Sequence, residues 1–166
     1  TMAQSHCLTG VPRNGPFSEV ARQVDLVQEV WQALKQSEVL GGRKKSERDF
    51  LIDQWRHNIM GVLEVEPERA LRRAEALFDA GVRVFRVYSP EPGLGALQTV
   101  IALRKKFYAE IEIFAGQVVD VQQAQQLEEA GADGLYLGIG GGGRCITGVR
   151  SGSVVDWPVL LWQLRG

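Results

Sequence analysis

Apolar residues along this chain change rhythm near residue 59. Between Phe17 and Gln36 the positions Val20, Val24, Val27, Trp31 and Leu34 recur at alternating steps of four and three. That is a helical stripe of coiled-coil spacing, too short to stand alone, so it must pack on something. The stretch GGRKK at 41–45 breaks it, and Ser46 with Asp49 then offers a capping box. A second helix follows, carrying Phe50, Ile52, Trp55 and Ile59. Together the two predict an α-hairpin that covers hydrophobic surface or makes a dimer. The sixteen residues before them show no period and read as a mobile lead-in.

From Ile59 onward short apolar runs alternate with amphipathic stretches. IMGVLEV, VRVFRVYS, EIEIFAGQVV and GLYLGIG read as strands. Between them lie helices, the first with Pro67 in its opening turn and Gly81 at its end, the last started by Asp120. The closing VVDWPVLLWQL reads as a helix or an irregular apolar tail. Strands alternating with helices of this length predict successive βα units on a parallel sheet. DAGVRVF and EAGADGLYL repeat one construction: helix, Ala-Gly turn, buried strand. About four such units fit, whereas a closed (β/α)₈ barrel takes roughly 250 residues. The expected fold is therefore α/β: a partial, half TIM-type barrel over residues 59–166, preceded over 1–58 by the lead-in and a helical extension.

Composition narrows the function little. With 19 basic and 20 acidic residues and a formal net charge of −1, nothing points to nucleic acid. Apolar runs are too short to span a bilayer, and no secretory apolar segment follows Met2. Two cysteines, Cys7 and Cys145, are too few for a disulfide framework, which fits a cytoplasmic protein with reduced thiols.

Candidate chemistry concentrates after the last strand, where five glycines fall within residues 138–143, followed by Arg144, Cys145 and Thr147. Glycine is costly to order but permits left-handed dihedrals and close approach. Successive N–H groups after a parallel strand form an anion site, and carbonyls can turn to a cation. Arg144 beside Cys145 favours the thiolate and hence a nucleophile. A small buried residue after a flexible connection explains Cys145 equally well.

Residues Met60 to Leu164 resemble the middle of the catalytic barrel of the inosine-monophosphate dehydrogenase and guanosine-monophosphate reductase family. AGADGLYLGIGGGGRCIT is similar to that family's active-site loop, in which a strand ends in Gly-x-Gly-x-Gly and Cys-x-Thr follows two residues later. The units IFAGQVVDVQQAQQLEEAGADG and AEALFDAGVRVFRV hold the register before it. The resemblance implies Cys145 as the nucleophile toward purine C2, with Thr147 assisting. It implies ligand or phosphate contacts from Gly140, Gly141, Gly142, Gly143, Arg144 and Gln117. A monovalent cation would sit at Gly140, Gly142 and the Cys145 carbonyl, and NAD or NADP would serve if the family activity is retained.

The same comparison exposes departures. Tyr88 stands where the family has an aspartate that meets ribose hydroxyls, and Gln117 replaces an asparagine. Gly143 replaces a serine that touches phosphate, and SPEPG at 89–93 carries two prolines where the family is more open. The early βα units, the later phosphate-binding strands and a catalytic flap are expected to be missing. These departures favour a non-catalytic relative that binds a purine nucleotide or phosphate, or acts through self-association as a homo-oligomer. One alternative is an enzyme acting through Cys145 once oligomerisation or a partner chain completes the barrel, since open sheet edges and the apolar Trp157, Leu160, Leu161 and Trp162 invite association. Another is a Schiff-base aldolase on the same architecture. It lacks an inward lysine, because Lys105 and Lys106 fall on a charged helix end. Glu64 and Glu66 are further candidates at the end of the first strand, Arg86 lies inside an apolar strand where an inward charge needs a partner unless it faces an edge or solvent, and His57 reads as a surface residue.

Overall fold

The computed structural model describes residues 2–5, 7–88, 94–138 and 155–165. Its strands are β1 (Thr9–Val11), β2 (Ile59–Leu63), β3 (Val84–Tyr88), β4 (Glu112–Val118) and β5 (Gly134–Leu137). Its helices are α1 (Val20–Lys35), α2 (Lys45–His57), α3 (Pro67–Asp79), α4 (Leu97–Phe107), α5 (Val121–Glu129) and α6 (Trp157–Gln163). The sheet order is β1-β2-β3-β4-β5, identical to chain order. Strand β2 pairs parallel with β1, and β5 pairs parallel with β4. A doubly wound sheet would reverse its order at a switch point. Monotonic order with a helix between successive strands is how a βα barrel is wound, so the fold is a partial barrel.

Contacts divide the chain into two units: residues 1–63 with 71–86, and residues 64–70 with 87–166. In the first, α1 buries Val27, Trp31 and Leu34, and α3 contributes Leu77 to a core that includes Leu63, Val82 and Phe85. Each fully buried Leu, Val or Phe side chain contributes about 1.5–3 kcal/mol. Gly61 on β2 makes this packing possible: a Cβ there would lie 2.8 Å from Leu77 Cδ1 and 3.2 Å from Phe85 Cδ1. Trp31 inserts with its Nε1 donating to the Ala80 carbonyl at 2.8 Å, so its one polar atom is satisfied.

The helical stripe read from Val20 and Val24 is only partly the buried one. Gln23 is fully buried in its place. Its Nε2 donates to the carbonyls of Val11 (2.8 Å) and Val62 (3.2 Å), and its Oε1 accepts from Arg73 Nη1 (2.8 Å). The lead-in likewise contains β1, which a three-residue strand with one buried side chain does not announce by periodicity. Helix α2 begins at Lys45 with Lys44 at its N-cap and no side-chain cap, so the Ser46–Asp49 capping box is not formed. Ile59 belongs to β2 rather than to that helix, and Phe50 is exposed.

In the second unit β4 and β5 form the sheet, with Ile113, Ala115 and Val118 fully buried beside Val100 and Leu103 of α4 and Leu127 of α5. Arg104 ties the return from α5 to β4. It bonds the carbonyls of Gly131 and Ile111, and its Nη2 meets Asp133 Oδ2 at 2.6 Å. Asp133 Oδ2 also accepts the Ile113 N–H at 2.7 Å. The tail resolves into α6, capped by Asp156, whose Oδ1 accepts the Val159 N–H.

Candidate functional site

In a parallel βα fold the chain leaves each strand at its carboxyl end, and functional groups collect there. Three candidates in the second unit lie at that end: Glu64 just after β2, Tyr88 at the end of β3 and Gln117 near the end of β4. Glu64 is buried. Glu66 is accounted for by the helix it precedes, because its carboxylate accepts the N–H groups of Glu68 (3.0 Å) and Arg69 (2.9 Å) at the start of α3.

Gln117 is set apart by the pairing of its strand. Phe114, Ala115 and Gly116 pair with Gly134, Leu135 and Tyr136, and then Val118 pairs with Leu137. Gln117 is therefore the extra residue of a β-bulge, a feature that re-aims a side chain and ends regular pairing. Gly116 beside it must be glycine, since a Cβ would lie 2.7 Å from both the Cβ and the carbonyl oxygen of Tyr136.

The turn from β4 into α5 is built around this bulge. Asp120 caps α5 by accepting the Gln123 N–H at 2.7 Å. The buried Gln123 side chain reaches back: Oε1 accepts the Val119 N–H (2.9 Å) and Nε2 donates to the Gln117 carbonyl (3.1 Å). The Gln117 main chain is thus held without the ladder bond that the bulge removes. Its Nε2 donates to the Tyr88 hydroxyl at 2.6 Å. Its Oε1 is buried with no hydrogen-bond partner among the described residues. A sealed, unpaired acceptor costs about 1–3 kcal/mol.

Tyr88 and Gln117, the two strand-end positions where the sequence departs from the family's aspartate and asparagine, are thus bonded to each other. A ribose diol is read by a carboxylate that offers two anionic acceptors. Tyr88 offers one neutral oxygen, already accepting from Gln117, and so does not fit that role.

Gly140, Gly141, Gly142, Gly143, Arg144, Cys145 and Thr147, with the cation positions among them, lie outside the described residues. The approach to them is described. Gly138 has φ +82° and donates its N–H to the Val118 carbonyl at 2.7 Å, and a Cβ there would lie 3.1 Å from Trp157 Cβ. Elsewhere, Arg86 is half-buried and engaged within the structure. Lys105 and Lys106 are exposed in the last turn of α4. His57 is exposed, its Nδ1 2.9 Å from the Asp53 carbonyl. Cys7 is an exposed free thiol, and no cluster among the described residues could hold a metal ion. No helix among them is long and apolar enough to cross a membrane.

Sequence reasoning missed Gln123. A signal was present, for Gln123 lies four residues before Leu127 on the buried face of α5, where a polar side chain needs partners.

A parallel βα sheet wound in chain order, with a helix between successive strands, defines a partial βα barrel. The model of the IMP dehydrogenase / GMP reductase domain matches residues 1–157, and the chain belongs to that family. The match runs through β1 and the two N-terminal helices as well as the later units. Inosine-5'-monophosphate dehydrogenase of Chlorobaculum parvum is 37% identical over 90 residues, 54% of this chain and 18% of that protein. The Toxoplasma gondii enzyme is 34% identical over 109 residues, 63% of this chain and 20% of its own length. The matches thus span about a fifth of these relatives. GMP reductase of Trypanosoma brucei, solved with guanosine 5'-triphosphate, superposes with a TM-score of 0.57 at 24% identity, over 70% of this chain and 31% of that one. A GMP reductase structure from the same organism with guanosine 5'-monophosphate gives 0.53 at 29% identity, over 58% and 20%.

Proposed function

We propose that this chain is a divergent, non-catalytic member of the IMP dehydrogenase / GMP reductase family that binds a purine mononucleotide without hydride transfer to a dinucleotide. The observation that carries this reading is the Tyr88–Gln117 contact, a neutral pair where dinucleotide recognition calls for a carboxylate. Family membership supports the nucleotide half, as do GMP reductases that bind guanosine nucleotides. In this reading Gly140 to Gly143 and Arg144 hold the phosphate. Calorimetric titration with guanosine, inosine and nicotinamide nucleotides tests it. The expected result is binding of a monophosphate and none of NAD. Formation of reduced nicotinamide from inosine 5'-monophosphate and NAD overturns it.

A second reading makes the chain an enzyme once association completes its barrel, with Cys145 as nucleophile, Thr147 assisting, and a monovalent cation at Gly140, Gly142 and Cys145. The exposed side chains of α6 favour association: Trp157, Leu161 and Trp162 are 48%, 47% and 72% exposed. Sedimentation gives the assembly state, and alkylation of Cys145 with exposed Cys7 as internal control reads the thiol. A monomer whose Cys145 labels no faster than Cys7, with or without nucleotide, removes this second reading.

A further inference from the structure

We infer that Arg56 and Arg83 form an oxyanion site before the amino ends of β2 and β3, which takes the phosphate group of a small phosphorylated ligand. All its residues belong to the first unit. The site shares no residue with the nucleotide site proposed above and does not depend on it.

The two arginines line one cavity of about 210 Å³, together with Asp53, His57 and Gly81. Each guanidinium is laid against an aromatic ring: Arg56 lies 5.3 Å from the Trp31 centroid and Arg83 3.7 Å from that of Phe78. Such stacking holds the guanidinium in place and leaves its edge free to donate. Neither arginine pairs with a carboxylate among the described residues; Asp53 instead lies 4.0 Å from His57 Nδ1. Helix C-termini attract cations, and both arginines stand beside one. That role accounts for Arg83 only in part, since Nη1 alone donates to the carbonyls of Phe78 (2.7 Å) and Val82 (2.9 Å). It does not account for Arg56, in the last turn of α2, which makes no hydrogen bond among the described residues. Of the Arg56 donors only Nε is buried, so Nη1 and Nη2 are both unpaired and open.

Size and charge limit the ligand. Whole drug-sized ligands occupy about 300–1,000 Å³, so this cavity admits one group of a molecule. Asp53 and Arg56 also line a neighbouring cleft of about 690 Å³ beside the end of α1, with Lys35, Arg48 and Asp49. That cleft is large enough for the organic part. Across both spaces Lys35, Arg48, Arg56 and Arg83 stand with Asp49 and Asp53, an excess of two positive charges on a chain whose net charge is −1. A phosphomonoester, at about −1.5 to −2, balances that excess, and a monocarboxylate does not. Guanidinium also matches phosphate oxygens in a two-pronged geometry.

The test titrates the full chain with inorganic phosphate and with acetate at constant ionic strength, by calorimetry. It compares wild type, Arg56→Gln, Arg56→Lys, Arg83→Gln and, as a control for diffuse surface charge, Lys105→Gln. Urea midpoints confirm that each variant is folded. Wild type is expected to bind phosphate at least about tenfold more tightly than acetate. Arg56→Gln and Arg83→Gln are each expected to weaken phosphate about tenfold, the scale of a lost charge-assisted hydrogen bond. Arg56→Lys keeps the charge without the fork and is expected to lose about threefold. Lys105→Gln is expected to match wild type. No phosphate binding by wild type overturns the inference, as does acetate binding as tightly as phosphate or a loss in Lys105→Gln equal to that in Arg56→Gln. Phosphate binding that neither glutamine variant weakens places the anion elsewhere, which overturns this inference and leaves the nucleotide reading intact. Should Arg83→Gln not fold for want of its carbonyl bonds, Arg56→Gln decides, since it gives up no hydrogen bond among the described residues. Should that variant not fold either, Arg56→Lys decides, with wild-type affinity as the contrary result.

Discussion

Gln23 in one unit and Gln117 in the other are both polar side chains drawn in among apolar neighbours, and the chain treats them differently. Gln23 spends its amide completely, donating to Val11 and Val62 and accepting from Arg73, whose Nη2 goes on to the Ser18 carbonyl at 2.7 Å. That cluster joins the segment after β1 to the end of β2 and to α3. Gln117 is equally well anchored at its backbone and its Nε2, yet its Oε1 is left over. A saturated buried network rigidifies, and an unsaturated one is a cost that a ligand can recover. The contrast separates a polar cluster whose amide is fully paired from one, at the carboxyl ends of the strands, that leaves an acceptor unpaired among the described residues.

Breaking the saturated cluster has the largest expected effect. Gln23→Leu strands the Val11 and Val62 carbonyls and takes an acceptor from the buried Arg73 guanidinium, at a cost of about 2–4 kcal/mol. Urea denaturation reads that loss, and nucleotide affinity is expected to be unchanged. Next comes Gly134→Ala, which drives a Cβ to 2.4 Å from Phe114 Cδ1 and costs about 1–3 kcal/mol of overpacking by the same assay. Asp120→Ala removes the N-cap of α5, costs about 1 kcal/mol, and should speed amide exchange at Gln123. The smallest effect belongs to Gln117→Leu, within about 1 kcal/mol of wild type, because losing the Tyr88 bond is offset by removing an unpaired acceptor. Two Gln→Leu changes of equal cost would erase the distinction between the clusters.

Much of the fold was legible in the chain because βα alternation leaves a strong signal. Pro67, Gly81 and Asp120 punctuate the helices where the structure has them, and each strand from β2 onward falls on an apolar run. What escaped was short or non-local. Three residues suffice for β1 because β2 supplies its hydrogen bonds, and no periodicity develops over that length. A capping box at Ser46 satisfied the local pattern, but the helix starts two residues earlier than that cap would set it, with Lys44 at its N-cap. Tyr88 and Gln117 were each visible as departures from a family pattern. Their contact joins positions 29 residues apart, which only the sheet brings together. Gln123 was hidden because a glutamine among glutamines carries no mark of its burial; helical spacing to Leu127 was its one trace.

The most direct test of nucleotide binding at the carboxyl ends of β3 and β4 is amide hydrogen exchange, resolved by peptide, with and without saturating guanosine 5'-monophosphate. The account predicts slowed exchange across Gln117–Gln123 and no change across Ser18–Trp31, where the polar cluster is already saturated. Bound nucleotide with unchanged exchange at Gln117–Gln123, or protection confined to Ser18–Trp31, would contradict it.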